Sequence, residues 1–255
     1  MVARHAAVAR SNEGTQLSTM TLIRHGQASF FASDYDRLSA MGEEQSRLLG
    51  QYWGVHGFRF DQVYSGPRLR QKQTAEWIGE AFRQNGGDWP APILHPGLDE
   101  YDLQGLVEHL APAFAIEDPY FASLVAASQQ STTQPEHLRN FQAMFERLML
   151  KWQSEKRPIA NVERWPDFQK RVENTLRQIQ NDAPKGCRVA VVTSGGFIGT
   201  AVQSTIAAPE LSALELNWRV RNCSLTEWVF TRDRMTLDSF NAVPHLPNPS
   251  HWTYR

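Results

Sequence analysis

Four short stretches of the chain carry side chains whose types and spacing suit phosphoryl chemistry. Arg24 and His25 stand in 24-RHG-26, where Gly26 lets the backbone turn sharply. Arg70 lies in 65-SGPRLRQKQTA-75, Glu100 closes 98-LDE-100, and Ser194 and Gly195 stand in 193-TSGG-196 ahead of a helix. A guanidinium group offers paired N–H donors to phosphoryl oxygens, and the backbone N–H groups of a helix start do so without any side chain. A histidine that holds a proton on one ring nitrogen presents the other as a nucleophile. Arginines neutralise the charge that develops, and a nearby acid protonates the leaving oxygen. Such a set requires no metal or cofactor, because the arginines supply the positive charge.

To act together, these groups must sit at the ends of neighbouring strands. Residues 20–24 (MTLIR) read as a short buried strand, and a helix with Ser39 as N-cap runs to about Gly54. Residues 60–64 read as a second strand, 68–84 as a helix, and 92–95 as a third strand. Farther on come a helix over 166–182, a strand over 188–193, a helix over 196–207, a strand over 222–230 and a hairpin return over 234–240. The stretch from about 103 to 165 differs in character and reads as a helical insertion. Its 134-QPEHLRNFQAMFERLMLKWQ-153 places Leu138, Phe141, Phe145, Leu148 and Met149 at helical spacing, as a stripe that reads as core. The alternation implies an α/β fold, a three-layer α/β/α arrangement around a mostly parallel central sheet. Ligands of such sheets lie outside the carboxyl ends of the strands, where all four stretches fall.

Composition sets outer bounds. At 255 residues, 41% hydrophobic and 21% charged, the chain has the make-up of an ordinary globular protein. A formal net charge of −1 gives no reason to expect nucleic acid or an anionic membrane surface as partner. Cys187 and Cys223 have no metal-ligand spacing, so no metal site is expected and a reducing, cytoplasmic location is the simpler reading. No apolar run reaches the roughly 20 residues that span a bilayer. Residues 1–19 lack the apolar stretch of a secretory signal and are expected to be a disordered tail, leaving 20–255 as a single domain.

Taken together, RHG at 24–26, SGPRLRQKQTA at 65–75, LDE at 98–100, VAVVTSGG at 189–196 and NCSLTE at 222–227 resemble the histidine phosphatase superfamily, in its phosphatase-type branch. The resemblance runs from about Met20 to Leu246 and implies a phosphoglycerate mutase-like fold, a phosphohistidine intermediate and no metal. It matches His25 to the phosphorylated nucleophile, Arg24 and Arg70 to the phosphate-binding arginines, and Glu100 to the proton donor, with Asp102 as the other acid in reach.

Three departures stand out. The family usually reads SHGG where this chain has TSGG, so Ser194 replaces a second pocket histidine. Gln27-Ala28-Ser29-Phe30 lacks the family's usual asparagine after RHG, and 100-EYDLQG-105 lacks the glycine and tryptophan that usually follow the acid. Losing a charged donor to a phosphoryl group costs about 1.5–3 kcal/mol, roughly 10- to 150-fold in rate. Ser194 then reads as a neutral donor lining the phosphate site, or as a structural turn residue. A nucleophilic serine is disfavoured, because Val192 stands where the first glycine of a GxSxG elbow would be. If the pocket keeps the family geometry, Ser194→His should raise activity.

The expected activity is metal-independent hydrolysis of phosphate monoesters. A non-catalytic module that binds a phospho-ligand on the same fold is the alternative, and a phosphoglycerate mutase a weaker one. The mutase pattern puts basic residues just after the acid, where this chain has Tyr101-Asp102-Leu103. The partner is a phosphorylated small molecule or a phosphoprotein. Aromatic residues across 141–168 suit either a homodimer interface or a lid. Phe30, Phe31 and Tyr35 are candidates for a leaving-group pocket, His245 for an approach to the site, and the remaining histidines read as ordinary surface or loop residues.

Overall fold

The computed structural model describes residues 17–29 and 36–254. Its strands are β1 (Ser18–Arg24), β2 (Gln62–Ser65), β3 (Ile93–Leu94), β4 (Arg188–Thr193), β5 (Leu225–Phe230) and β6 (Met235–Ala242). They form one sheet in the order β3-β2-β4-β1-β5-β6. The strands β3, β2, β4 and β1 run parallel, β5 runs antiparallel to β1, and β6 antiparallel to β5. The sheet is therefore mixed, with β5 alone reversed among the described strands.

The central pair explains why the chain folds this way. Alternate side chains of a strand face opposite sides. Met20, Leu22, Val189 and Val191 enter one apolar cluster, while Ile23, Ala190 and Val192 enter the other. A strand covered on both faces needs such a continuous apolar run. On one face lie α1 (Ala40–Val55) and α2 (Leu69–Gln84), contributing Leu49, Trp53, Ile78 and Phe82. On the other lie α7 (Trp165–Asp182) and α8 (Gly195–Thr205), contributing Phe168, Val172, Ile179, Phe197 and Ile198. Ser39 caps α1 as expected, its Oγ accepting from the Gly42 N–H at 3.2 Å.

The insertion is helical throughout most of its length. It comprises α3 (Leu103–Gly105), a π-helical turn (Leu106–Leu110), α4 (Ala111–Glu117), α5 (Pro119–Gln130) and α6 (Gln134–Ser154). Leu106, Phe121, Leu148 and Met149 join the larger cluster, so the insertion shares its core with the sheet.

Three differences from the sequence reading have a physical reason. β1 begins at Ser18, inside the stretch expected to be a tail, because Ser18 and Thr19 still pair with Phe230 and Arg188. β5 begins at Leu225 instead of 222, because Cys223 adopts φ 55° and turns the chain. A further helix, α9 (Leu211–Arg219), has no counterpart in the sequence reading; it buries only Ala213 and Leu214, too few to show a period. No helix among the described residues is long and apolar enough to cross a membrane.

Candidate active site

The carboxyl end of β1, the stretch after β2 and the turn after β3 meet at a cavity of about 830 Å³. Arg24, His25, Arg70, Glu100 and Asp102 all line it. The turn carrying His25 is pinned from several sides. Its N–H donates to the Thr193 carbonyl at 2.9 Å, and its carbonyl accepts from Asn222 Nδ2 at 3.1 Å. The Gly26 N–H donates to Thr74 Oγ1 at 3.0 Å. A Cβ on Gly26 would lie 2.5 Å from the Gly42 carbonyl oxygen, so only glycine lets this turn pass the start of α1.

The bonds to the His25 ring fix its tautomer. Nδ1 is 2.7 Å from the Gly26 carbonyl, which can only accept, so Nδ1 carries the proton. Nε2 is 3.1 Å from Arg70 Nε–H, which can only donate, so Nε2 presents a lone pair. Burial holds the imidazole well below its usual range, the cations of Arg70 and Arg24 push the same way, and the Gly26 carbonyl opposes them weakly. His25 is thus neutral at physiological pH, with its nucleophilic nitrogen beside a guanidinium.

The two arginines are held differently. Arg24 donates through Nη1 to the Val220 carbonyl. Arg70 makes an ion pair with Asp36 at 2.7 Å, and Asp36 also accepts from the Leu69 N–H at the start of α2. Glu100 accepts from the Gly196 N–H at 3.0 Å and the Tyr101 N–H at 3.1 Å. Burial raises its carboxyl above the usual range, against the pull of these two donors and of Arg70 and Arg24. Asp102 is exposed and caps α3, accepting from the Gly105 N–H at 3.0 Å. The two acids therefore have different surroundings, and Glu100 is the one under the field of both arginines.

Ser194 lies behind the wall of the cavity and is not among the residues that line it. It is fully buried, and its Oγ accepts from Gln71 Nε2 at 2.8 Å. Gln71 is itself fully buried; it also donates to the Leu98 carbonyl at 3.2 Å and accepts from the Arg68 N–H at 3.0 Å. A bulky amide from α2 thus abuts the small serine at the head of α8. Gly195 is buried beside Arg24, where a Cβ would lie 2.7 Å from Asn217 Oδ1 and 3.5 Å from Arg24 Nε.

Phe141 and Phe145, read as core, line the cavity, and so do Trp218, Arg219 and Tyr254, which carried no local signal. They come from α9 and a segment near 254, which only the tertiary fold brings to the strand ends. His245 is buried against Tyr52, ring centroids 6.5 Å apart, and does not line the cavity. Phe30, Phe31 and Tyr35 lie outside the described residues.

This geometry defines an α/β protein with a neutral histidine, two arginines and a buried acid converging at the carboxyl edge of its sheet. The chain belongs to the histidine phosphatase superfamily (branch 1), whose family model matches residues 20–149 and 126–243. No curated protein is significantly similar to it in sequence. Among solved structures, Bacillus stearothermophilus YhfR superposes with a TM-score of 0.60 at 18% identity, covering 90% of this chain and 99% of that one. Phosphoglycerate mutase from Bacillus anthracis gives 0.59 at 19% identity, with 91% and 96% covered. The alpha-ribazole phosphatase from Shigella flexneri gives 0.57 at 18%, with 88% and 96% covered. At these identities the superpositions establish the fold, which is phosphoglycerate mutase-like.

Proposed function

We propose that this chain is a phosphomonoesterase, independent of metal, that passes the phosphoryl group through His25 to water. Membership of the superfamily supports phosphatase-type phosphoryl transfer. The observation that carries the reading is the neutral His25 ring on the cavity lining, with Nδ1–H held by a carbonyl and the Nε2 lone pair accepting from Arg70 Nε–H. On binding, a phosphoryl oxygen takes over the Arg70 Nε–H and frees the Nε2 lone pair. Nε2 bonds to phosphorus as the ester P–O bond breaks, and the departing oxygen takes the proton of Glu100, whose raised affinity suits it to carry one. In the second half, water attacks phosphorus and gives its proton back to Glu100. The N–P bond breaks, its electron pair returns to Nε2, and inorganic phosphate leaves. Arg24 and Arg70 neutralise the equatorial oxygens in both halves.

Hydrolysis is favoured over a mutase reaction because Tyr101-Asp102-Leu103 places no basic side chain after the acid. A non-catalytic phosphate-binding role is the second reading, favoured by the Ser194–Gln71 contact that replaces the family's second histidine. Assay of the purified protein with p-nitrophenyl phosphate and a panel of phosphometabolites in EDTA separates them. Turnover that disappears in His25→Ala is expected. Absence of turnover above that variant on every ester, with tight phosphate or vanadate binding, would leave the binding role.

A further inference from the structure

The cavity extends well beyond the space a phosphoryl group fills, and its two ends differ in chemistry. The inner end is the arginine and histidine floor. The outer wall is apolar, formed by Leu103 and Val107 from the insertion, Phe141 and Phe145 from α6, and Trp218 from α9. The aromatic groups are already packed into one surface. Phe141 and Phe145 stack with ring centroids 5.8 Å apart, and Phe145 meets Trp218 edge-on at 5.0 Å. Asn217, the residue before Trp218, abuts Gly195 beside Arg24, so the wall begins directly at the phosphate floor.

Val107 remains 39% exposed, and the half-buried rings of Phe141 and Trp218 also face the cavity. Apolar surface left facing water inside a cavity gains by taking up an apolar ligand group. The open side carries charges of both signs. Asp102, Glu108 and Glu146 are exposed carboxylates on the lining, and Arg219 is an exposed guanidinium beside them, so the apolar wall and not the rim charge distinguishes this end.

We infer that the substrates of this site are phosphate monoesters of bulky apolar alcohols, seated with the alcohol against Phe141, Phe145 and Trp218. The inference rests on the hydrolytic reading for its catalytic test, and the experiment separates the two. Ethyl and hexyl phosphate have leaving groups of nearly equal reactivity and differ in apolar length. The expected kcat/KM ratio is about 10- to 100-fold in favour of hexyl phosphate, from partial burial of the extra methylenes. Phe141→Ser and Val107→Asp are expected to pull this ratio toward unity, whereas Ile116→Ser, on an exposed residue outside the cavity, keeps it.

Turnover that depends on His25 but shows no chain-length preference, or that favours 3-phosphoglycerate over hexyl phosphate, overturns the inference and leaves hydrolysis standing. If His25→Ala retains wild-type turnover, the hydrolytic reading fails instead. The same comparison, read by calorimetry as the affinity of His25→Ala for the two esters, tests the apolar wall without any turnover. Equal affinities there overturn it.

Discussion

Ser194 and Gln71 are best understood as a pair. A histidine at 194 would need the volume that the Gln71 amide occupies, and that amide is held by three hydrogen bonds with no solvent to retreat into. The sequence alone suggests that Ser194→His restores a lost charge. The packing changes the expectation: the single substitution overpacks the site and lowers stability by about 1–3 kcal/mol. Combined with Gln71→Ala, it is expected to recover stability and raise kcat/KM on p-nitrophenyl phosphate about tenfold or more. Denaturant midpoints and steady-state kinetics on the two variants check this. A single variant that is both faster and as stable as the wild type would show that Gln71 moves aside freely.

At the scale of elements, the site depends on how closely α8 approaches the loop after β3. The Gly196 N–H binds the Glu100 carboxylate, and a Cβ on Gly196 would lie 2.4 Å from both Glu100 Oε1 and the Tyr101 ring. Gly196→Ala is therefore expected to push the acid off the helix start. The measurable outcome is a loss of at least tenfold in kcat with a smaller change in KM, since the phosphate contacts proposed for Arg24 and Arg70 are left in place. An unchanged kcat would mean that Glu100 is not the proton donor.

This dependence also shows what the sequence could reveal. The stretches around His25, Arg70, Glu100 and Ser194 were legible because each couples a chemical side chain to a local strand-to-helix signal. The Gln71–Ser194 contact was not, because its partners are 123 residues apart and glutamine in a helix has no special signature. Phe141 and Phe145 looked like core by helical period, and Phe145 is in fact largely buried. Helical spacing finds the apolar face but cannot tell a core from a cavity wall. The alternation of elements suggested a mostly parallel sheet, and the reversal of β5 goes with α9, which pattern alone does not mark and which ends beside Arg24 so that β5 starts at the carboxyl edge.

At the scale of the molecule, two histidines among the described residues are buried and neutral, His25 and His245. Among the described residues neither ring nitrogen of His245 has a hydrogen-bond partner, and burial pushes its pKa down to about 3. Unfolded, each histidine would take a proton near pH 6.5. Between that value and the lowered ones, the unfolded chain binds more protons, so stability falls as pH falls. Each histidine contributes a slope of up to about 1.4 kcal/mol per pH unit. Glu100, shifted upward, works in the opposite sense, since the folded form then takes its proton first. Urea unfolding at pH 7.5, 6.0 and 5.0 is expected to show declining stability, with a shallower slope in His245→Gln. A flat profile would show that the His245 ring is solvated or partnered.

The fastening of the His25 turn bears on how the protein comes into being. The carbonyl of His25 is held by Asn222, 197 residues later, and Asn222 is in turn held by Thr253, which also binds Gln45 of α1. Local helices can form as the chain emerges, but contacts this distant wait until both ends are available. On a growing chain His25 is made early and aligned late. A form cut short before Asn222 thus lacks the fastening that holds the His25 carbonyl.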